Sequence, residues 1–210
     1  MIGPSSSHTA GAVRIGRIAW KILGEDAVRA DITLFGSFAH TYKGHGTDKA
    51  LIAGILGMRP DDERIPMSFE IAKERALEYK FLIGNNATLH PNTAGLMLYG
   101  KHGAECLVEG VSVGGGSIRI TKLNGLEAAF TGNADTLIIA HHDVPGVVAS
   151  ITSHLANLDI NIGSMRMTRP RKNEMTILTL EIDSGIERAA VNDLRSLKDI
   201  TSVVYLRHSL

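Results

Sequence analysis

Between residues 135 and 210 the hydrophobic pattern changes in a fixed order, and that order restricts the fold more than any single motif does. Apolar runs of strand length occupy Thr136 to Ala140, Asn161 to Thr168, Met175 to Ile182 and Val203 to Leu206. Gly146 to Leu158 and Ile186 to Leu197 carry their apolar residues at helical spacing instead. The resulting order, βαββαβ, is the ferredoxin-like arrangement.

The preceding residues follow a different plan. From Ala10 to Leu23, Ala12, Ile15, Ile18, Ala19 and Ile22 recur at helical spacing opposite Arg14, Arg17 and Lys21, which predicts an amphipathic helix ended by Gly24. Val28 to Phe35 reads as a strand closed by Gly36-Ser37, and helices are predicted from Thr47 to Gly57 and from Ser68 to Glu78. Between the last two, Arg59 to Pro66 is a solvated connection. Gly95 to Phe130 breaks into short β-rich runs separated by glycines, a meander of antiparallel strands. Gly132-Asn133-Ala134 then reads as a linker. The expected fold class is α+β, with a mixed α/β domain over 1–132 and a ferredoxin-like domain over 135–210.

Composition narrows the function. With Lys+Arg and Asp+Glu both at 22 in 210 residues, no net field draws the chain to nucleic acid or an anionic membrane. A hydrophobic content of 44% supports ordinary buried cores. No apolar run approaches the ~20 residues a bilayer span needs, and Met1-Ile2-Gly3 lacks a secretory leader, so a cytoplasmic location is expected. Cys106 is the single cysteine, which rules out an internal disulfide and any cysteine-ligated cluster held by this chain alone.

Three polar clusters stand out in the first 93 residues. Gly3-Pro4-Ser5-Ser6-Ser7-His8-Thr9 places hydroxyls and an imidazole at a helix start, where unpaired amides favour an anion; a plain helix cap by Ser7 or Thr9 is the simpler alternative. In Lys43-Gly44-His45-Gly46-Thr47-Asp48 the glycines let the backbone approach a ligand around His45. In Leu89-His90-Pro91-Asn92-Thr93, Pro91 restricts His90 to an extended conformation. His8, His40, His45 and His90 show none of the close pairs expected of a zinc site, so no metal ligands are assigned. Gly114-Gly115-Gly116 lacks the lysine of a phosphate cradle and reads as a sharp bend.

In the C-terminal unit, His141-His142-Asp143-Val144-Pro145-Gly146 turns a strand into a helix whose first amides can receive a carboxylate. His141 and His142 point to opposite faces. Asp143-Val144-Pro145-Gly146-Val147, the apolar helix after it and Asn161-Ile162 resemble an ACT domain, the amino-acid-sensing module of many metabolic enzymes. The resemblance implies edge-to-edge self-association and effector contacts at Asp143, Gly146 and Asn161.

Taken with the ACT-like end, the three N-terminal clusters are similar, in order and over essentially the whole chain, to the β subunit of iron–sulfur-dependent L-serine dehydratases. The family implies an N-terminal domain like the allosteric substrate-binding domain of some phosphoglycerate dehydrogenases. It also implies an α subunit whose cysteines hold a [4Fe–4S] cluster, and elimination of water from L-serine to give pyruvate and ammonia. The subunit is expected to be inactive without that partner. By this resemblance Ser5, Ser6, Ser7, Thr9 and Asn92 bind the substrate, while His8, His45 and His90 line the catalytic site. His45 is a candidate base for the Cα proton, and a base on the α subunit is equally compatible. The alternative is an amino-acid-sensing regulatory chain that performs no chemistry.

Overall fold

The computed structural model describes residues 6–169 and 174–208, which form two compact units dividing at Gly125/Leu126. The division falls before the expected linker, so residues 132–134 lie within the second unit.

In the first unit, Ser6–Gly11 form a π-helical turn that runs directly into α1 (Ala12–Leu23). The predicted loop ahead of a helix is therefore, over its described part, the helix's own widened first turn. Strand β1 (Ala27–Leu34) is followed by α2 (Gly36–Thr41), α3 (Thr47–Ile55) and α4 (Ser68–Glu74). Next come β2 (Glu78–Ile83), β3 (Thr93–Gly100), β4 (Glu105–Gly114) and β5 (Ser117–Leu123). The strand order is β2-β1-β3-β4-β5, with β2 parallel to β1 and the other neighbours antiparallel.

Two elements depart from the expected pattern. The helix begun at Ser68 stops at Glu74, and Glu78 instead opens β2. Tyr79 and Phe81 lie in register with Ala30 and Ile32 and so share their face of the sheet, a period-two signal only three pairs long. The short helix α2 had no periodicity to announce it. The three glycines 114–116 take φ of 107°, 59° and 79° and make the tight β4–β5 bend, as predicted.

Alternate residues of β1, β3, β4 and β5, among them Ile32, Leu34, Leu96, Leu98, Val108, Ile118 and Ile120, are fully or almost fully buried. Helix α1 packs on that face with Ala12, Val13, Ile15, Ile18 and Ala19. Helix α3 crosses α1 where Gly16 meets Gly54.

The second unit opens with β6 (Leu126–Phe130) and continues as β7 (Asp135–His142), α5 (Val147–Asn157), β8 (Ile162–Thr168), β9 (Met175–Ile182), α6 (Arg188–Arg195) and β10 (Ile200–Leu206). Its sheet order β10-β7-β9-β8 is antiparallel throughout, as the βαββαβ pattern requires. Leu137, Ile139, Leu178 and Leu180 pack against Val147, Ile151 and Leu155 of α5 and Val191 and Leu194 of α6.

Candidate functional site

The π turn sets His8 beside two later parts of the chain. Its ring lies edge-on to His45, with centroids 4.8 Å apart, and to Phe38, at 5.3 Å. Its Nε2 is 3.4 Å from the Ser37 hydroxyl. Burial and, second, the neighbouring His45 lower the pKa of His8, so the neutral imidazole is favoured.

Two backbone turns account for this meeting. At the start of α2, Gly36 has φ of 52°, and a β-carbon there would fall 2.6 Å from Pro91 Cα. Phe38 N–H donates to the Pro91 carbonyl (3.1 Å) and Phe35 N–H to the Thr93 carbonyl (3.1 Å), so the 90–93 segment is tied to the helix that carries Ser37. After α2, His45 N–H donates to the Thr41 carbonyl (3.0 Å), and Gly46 at φ of 70° turns the chain into α3. All three polar clusters therefore come together, and Ser37, not singled out in the sequence, joins them.

The candidates differ in environment. His45 is exposed on its turn. His90 is also exposed, and its imidazole is engaged locally, with Nδ1 accepting from Asn92 N–H at 3.1 Å. Ser7 is half-buried, Ser6 opens the π turn, and Ser5 lies outside the described residues. Thr9 is buried but caps nothing, since its hydroxyl has no hydrogen-bond partner and Gly11 precedes α1 without a side-chain cap. The hydroxyls of Thr47 and Ser112 and the Asn92 Oδ1 are likewise buried and unpartnered. Asp48, in the first turn of α3, is buried, which raises its carboxyl pKa, while its Oδ1 accepts from Lys49 N–H at 2.8 Å. Hydrogen-bonding groups buried without partners are costly, and such a group is suited to a polar guest.

The donor set does not suit an iron–sulfur cluster. Cys106 faces the core under α1, where its thiol donates to the Ala19 carbonyl at 3.6 Å and burial pushes its pKa up to about 12. A thiol so placed is not a thiolate ligand. Among the described residues, no three His, Cys, Asp or Glu side chains are grouped to hold a metal ion.

In the second unit Asp143 is buried and takes both contacts of an Arg169 fork, Nε–Oδ2 at 2.7 Å and Nη2–Oδ1 at 3.1 Å. Gly146, at φ of 91°, begins α5 with open space beside its α-carbon. Asn161 lies elsewhere, with its amide donating to Asp183 Oδ2 at 2.5 Å. The registers pair His142 with Met175 at one end of the sheet and Ile162 with Ile182 at the other. Within one chain, then, the three residues implied as effector contacts do not meet: Asp143 and Gly146 sit at one end and Asn161 at the other. His141 is fully buried and His142 exposed, as strand alternation predicted. His141 Nδ1 lies 2.9 Å from the His142 carbonyl.

Comparison with known proteins gives the family. Residues 1–86 match the family described as serine dehydratase beta chain. A protein named probable L-serine dehydratase, beta chain, from Bacillus subtilis (strain 168) is 40% identical over 203 residues, covering 97% of this chain and 92% of its own. The L-serine dehydratase beta chain of Peptoniphilus asaccharolyticus is 38% identical over 207 residues, covering 98% and 93%. A D-3-phosphoglycerate dehydrogenase of Bacillus subtilis (strain 168) is 26% identical over 193 residues, which are 91% of this chain and 36% of that enzyme. The chain belongs to the serine dehydratase beta chain family.

Proposed function

We propose that this chain forms one wall of the active site of an L-serine dehydratase and acts together with an α chain that holds a [4Fe–4S] cluster. The observation that carries the proposal is the His8–His45 pair, 4.8 Å between ring centroids, set beside buried polar groups that have no partner of their own. A chain that only sensed a carboxylate would have little need of two imidazoles in contact. The reaction removes the Cα proton of L-serine and breaks the Cβ–O bond. The oxygen leaves as water, and the aminoacrylate that remains is hydrolysed to pyruvate and ammonia.

In this reading the hydroxyls of Ser5, Ser6, Ser7 and Thr9 and the amide of Asn92 hold the substrate. His45 lies on the exposed side of the pair and takes the Cα proton, a role for which an imidazole nitrogen is suited. His8, kept neutral by burial, orients it. His90 acts through its loop, by holding the Asn92 backbone. Because the donor set here does not suit the cluster, its ligands and the assistance to the departing hydroxyl are assigned to the α chain. The ACT-like unit binds an effector through Asp143 and Gly146, with Asn161 supplied by a second copy paired edge to edge. The complex works in the cytoplasm.

The test is co-expression and oxygen-free co-purification of the two chains, with pyruvate formed from L-serine as the readout. Activity is expected of the pair and of neither chain alone. Turnover by this chain by itself would sink the shared-site reading.

A further inference from the structure

Ser112 lies on β4, a strand with neighbours on both sides, at a fully buried position. It shares its face with Val108 and Gly110, beneath the π turn. Such a place favours Val, Ile or Ala, and a hydroxyl there costs free energy unless something bonds to it. The Ser112 hydroxyl has no hydrogen-bond partner. The fold nevertheless makes room for it. Gly11, the last residue of the π turn, has no side chain, and a β-carbon there would lie 2.8 Å from Ser112 Cβ and closer still to Ser112 Oγ. Ser112 N–H donates to the Asn92 carbonyl at 3.0 Å, so the two residues are neighbours across β3 and β4, and the Asn92 carboxamide oxygen is buried without a partner as well. Two residues before Gly11, Thr9 is in that condition too.

These unpartnered groups differ in character. Hydroxyls can donate, whereas Asn92 Oδ1 can only accept. A guest that satisfies both must present an acceptor and a donor, as the carboxylate and ammonium of an α-amino acid do. We propose that Ser112 is a further substrate-binding residue, donating its hydroxyl hydrogen to the carboxylate of L-serine, while Asn92 Oδ1 accepts from the ammonium group. The inference rests on the serine dehydratase reading above and adds a contact from the sheet beneath the helical turn.

The experiment compares Ser112→Ala with wild type as the co-purified two-chain complex. Loss of a hydrogen bond to a charged group should raise KM for L-serine about 10- to 100-fold and leave kcat within about threefold. Glycerate, which keeps the carboxylate but lacks the ammonium, should lose inhibitory strength by a similar factor. Ethanolamine, which lacks the carboxylate, should be unaffected. The isolated variant chain should melt at the same temperature as wild type or higher, because an unpartnered buried hydroxyl has been removed. A lower melting temperature would give the hydroxyl a structural role and overturn the proposal. An unchanged KM, or equal losses for glycerate and ethanolamine, would also overturn it while leaving serine turnover by wild type intact. If the wild-type complex makes no pyruvate from L-serine, the underlying reading falls first and this one with it.

Discussion

Gly16 of α1 and Gly54 of α3 meet backbone to backbone: a β-carbon built on Gly16 would lie 2.5 Å from the Leu51 carbonyl oxygen and 3.1 Å from Gly54 Cα. One built on Gly54 would lie 2.7 Å from Arg17 N and closer still to the Val13 carbonyl oxygen. The contact bears on the proposed site because α1 continues the turn that carries His8, and α3 begins two residues after His45. The spacing of the two helices therefore helps set the spacing of the two imidazoles.

Gly54→Ala should cost about 1–3 kcal/mol, since backbone and not a yielding side chain blocks the new methyl group. Urea denaturation of the isolated chain measures it. Because the helices must separate to relieve the clash, serine turnover by the complex should fall further than the folded fraction alone explains. A variant as stable and as active as wild type would show that the crossing does not position the site.

His45→Ala should lower kcat for pyruvate formation by about two to four orders of magnitude while the two chains still co-purify. A loss below tenfold would remove His45 from the chemistry. The same change should register on His8. Burial comes first among the causes of its lowered pKa and His45 second, so His8 observed by NMR should titrate below the ordinary value of about 6.5 in wild type and move part of the way back in the variant. The sign for stability follows. As pH falls below the ordinary value the unfolded chain takes up the proton first, so the stability contributed by neutral His8 is lost on the way down through its folded pKa.

Much of this architecture was legible in advance, for reasons that differ by element. The βαββαβ unit was readable because each of its elements runs long enough to express its period, and β7, β8 and β9 fall within two residues of expectation. The bend at 114–116 was readable because three consecutive glycines admit positive φ at each position. The clustering of His8, His45 and the 90–93 segment could be suspected from composition but not located, since it depends on a Gly36–Pro91 approach between residues far apart in sequence. Ser37 and Ser112 carried no local signal at all. One lies on a helix of six residues, and the other is a serine in an apolar strand. The start of α1 was misplaced because Ser, His and Thr read as loop, yet a wide turn packed on β4 holds them.

Glu181 should make the chain acid-sensitive. Burial acts to raise its carboxyl pKa, but hydrogen bonds from Thr131 N–H (3.1 Å), the Thr131 hydroxyl (2.9 Å) and the Ser164 hydroxyl (3.0 Å), with the charge of Arg166, bring it below the usual range. A carboxylate depressed in the folded state contributes stability that is fully present above its unfolded pKa of about 4.3 and is lost as pH falls through the folded value. The urea midpoint should therefore fall less steeply below about pH 4.3 for Glu181→Gln than for wild type. Parallel pH profiles would show that folding does not lower the Glu181 carboxyl pKa.

Cys106 offers the last test, because it separates a core thiol from a cluster ligand. The residue is 3% exposed, packed under α1 and held in the protonated form by a pKa pushed up to about 12. Replacing it with alanine removes one buried sulfur and should cost on the order of 1 kcal/mol in the isolated chain. The iron content and the visible absorption of the anaerobically co-purified complex should not change, since the thiol would have to leave the core and lose its proton to reach a metal. A fall in iron per complex, with assembly intact, would move a cluster ligand onto this chain and reverse the division of labour between the subunits.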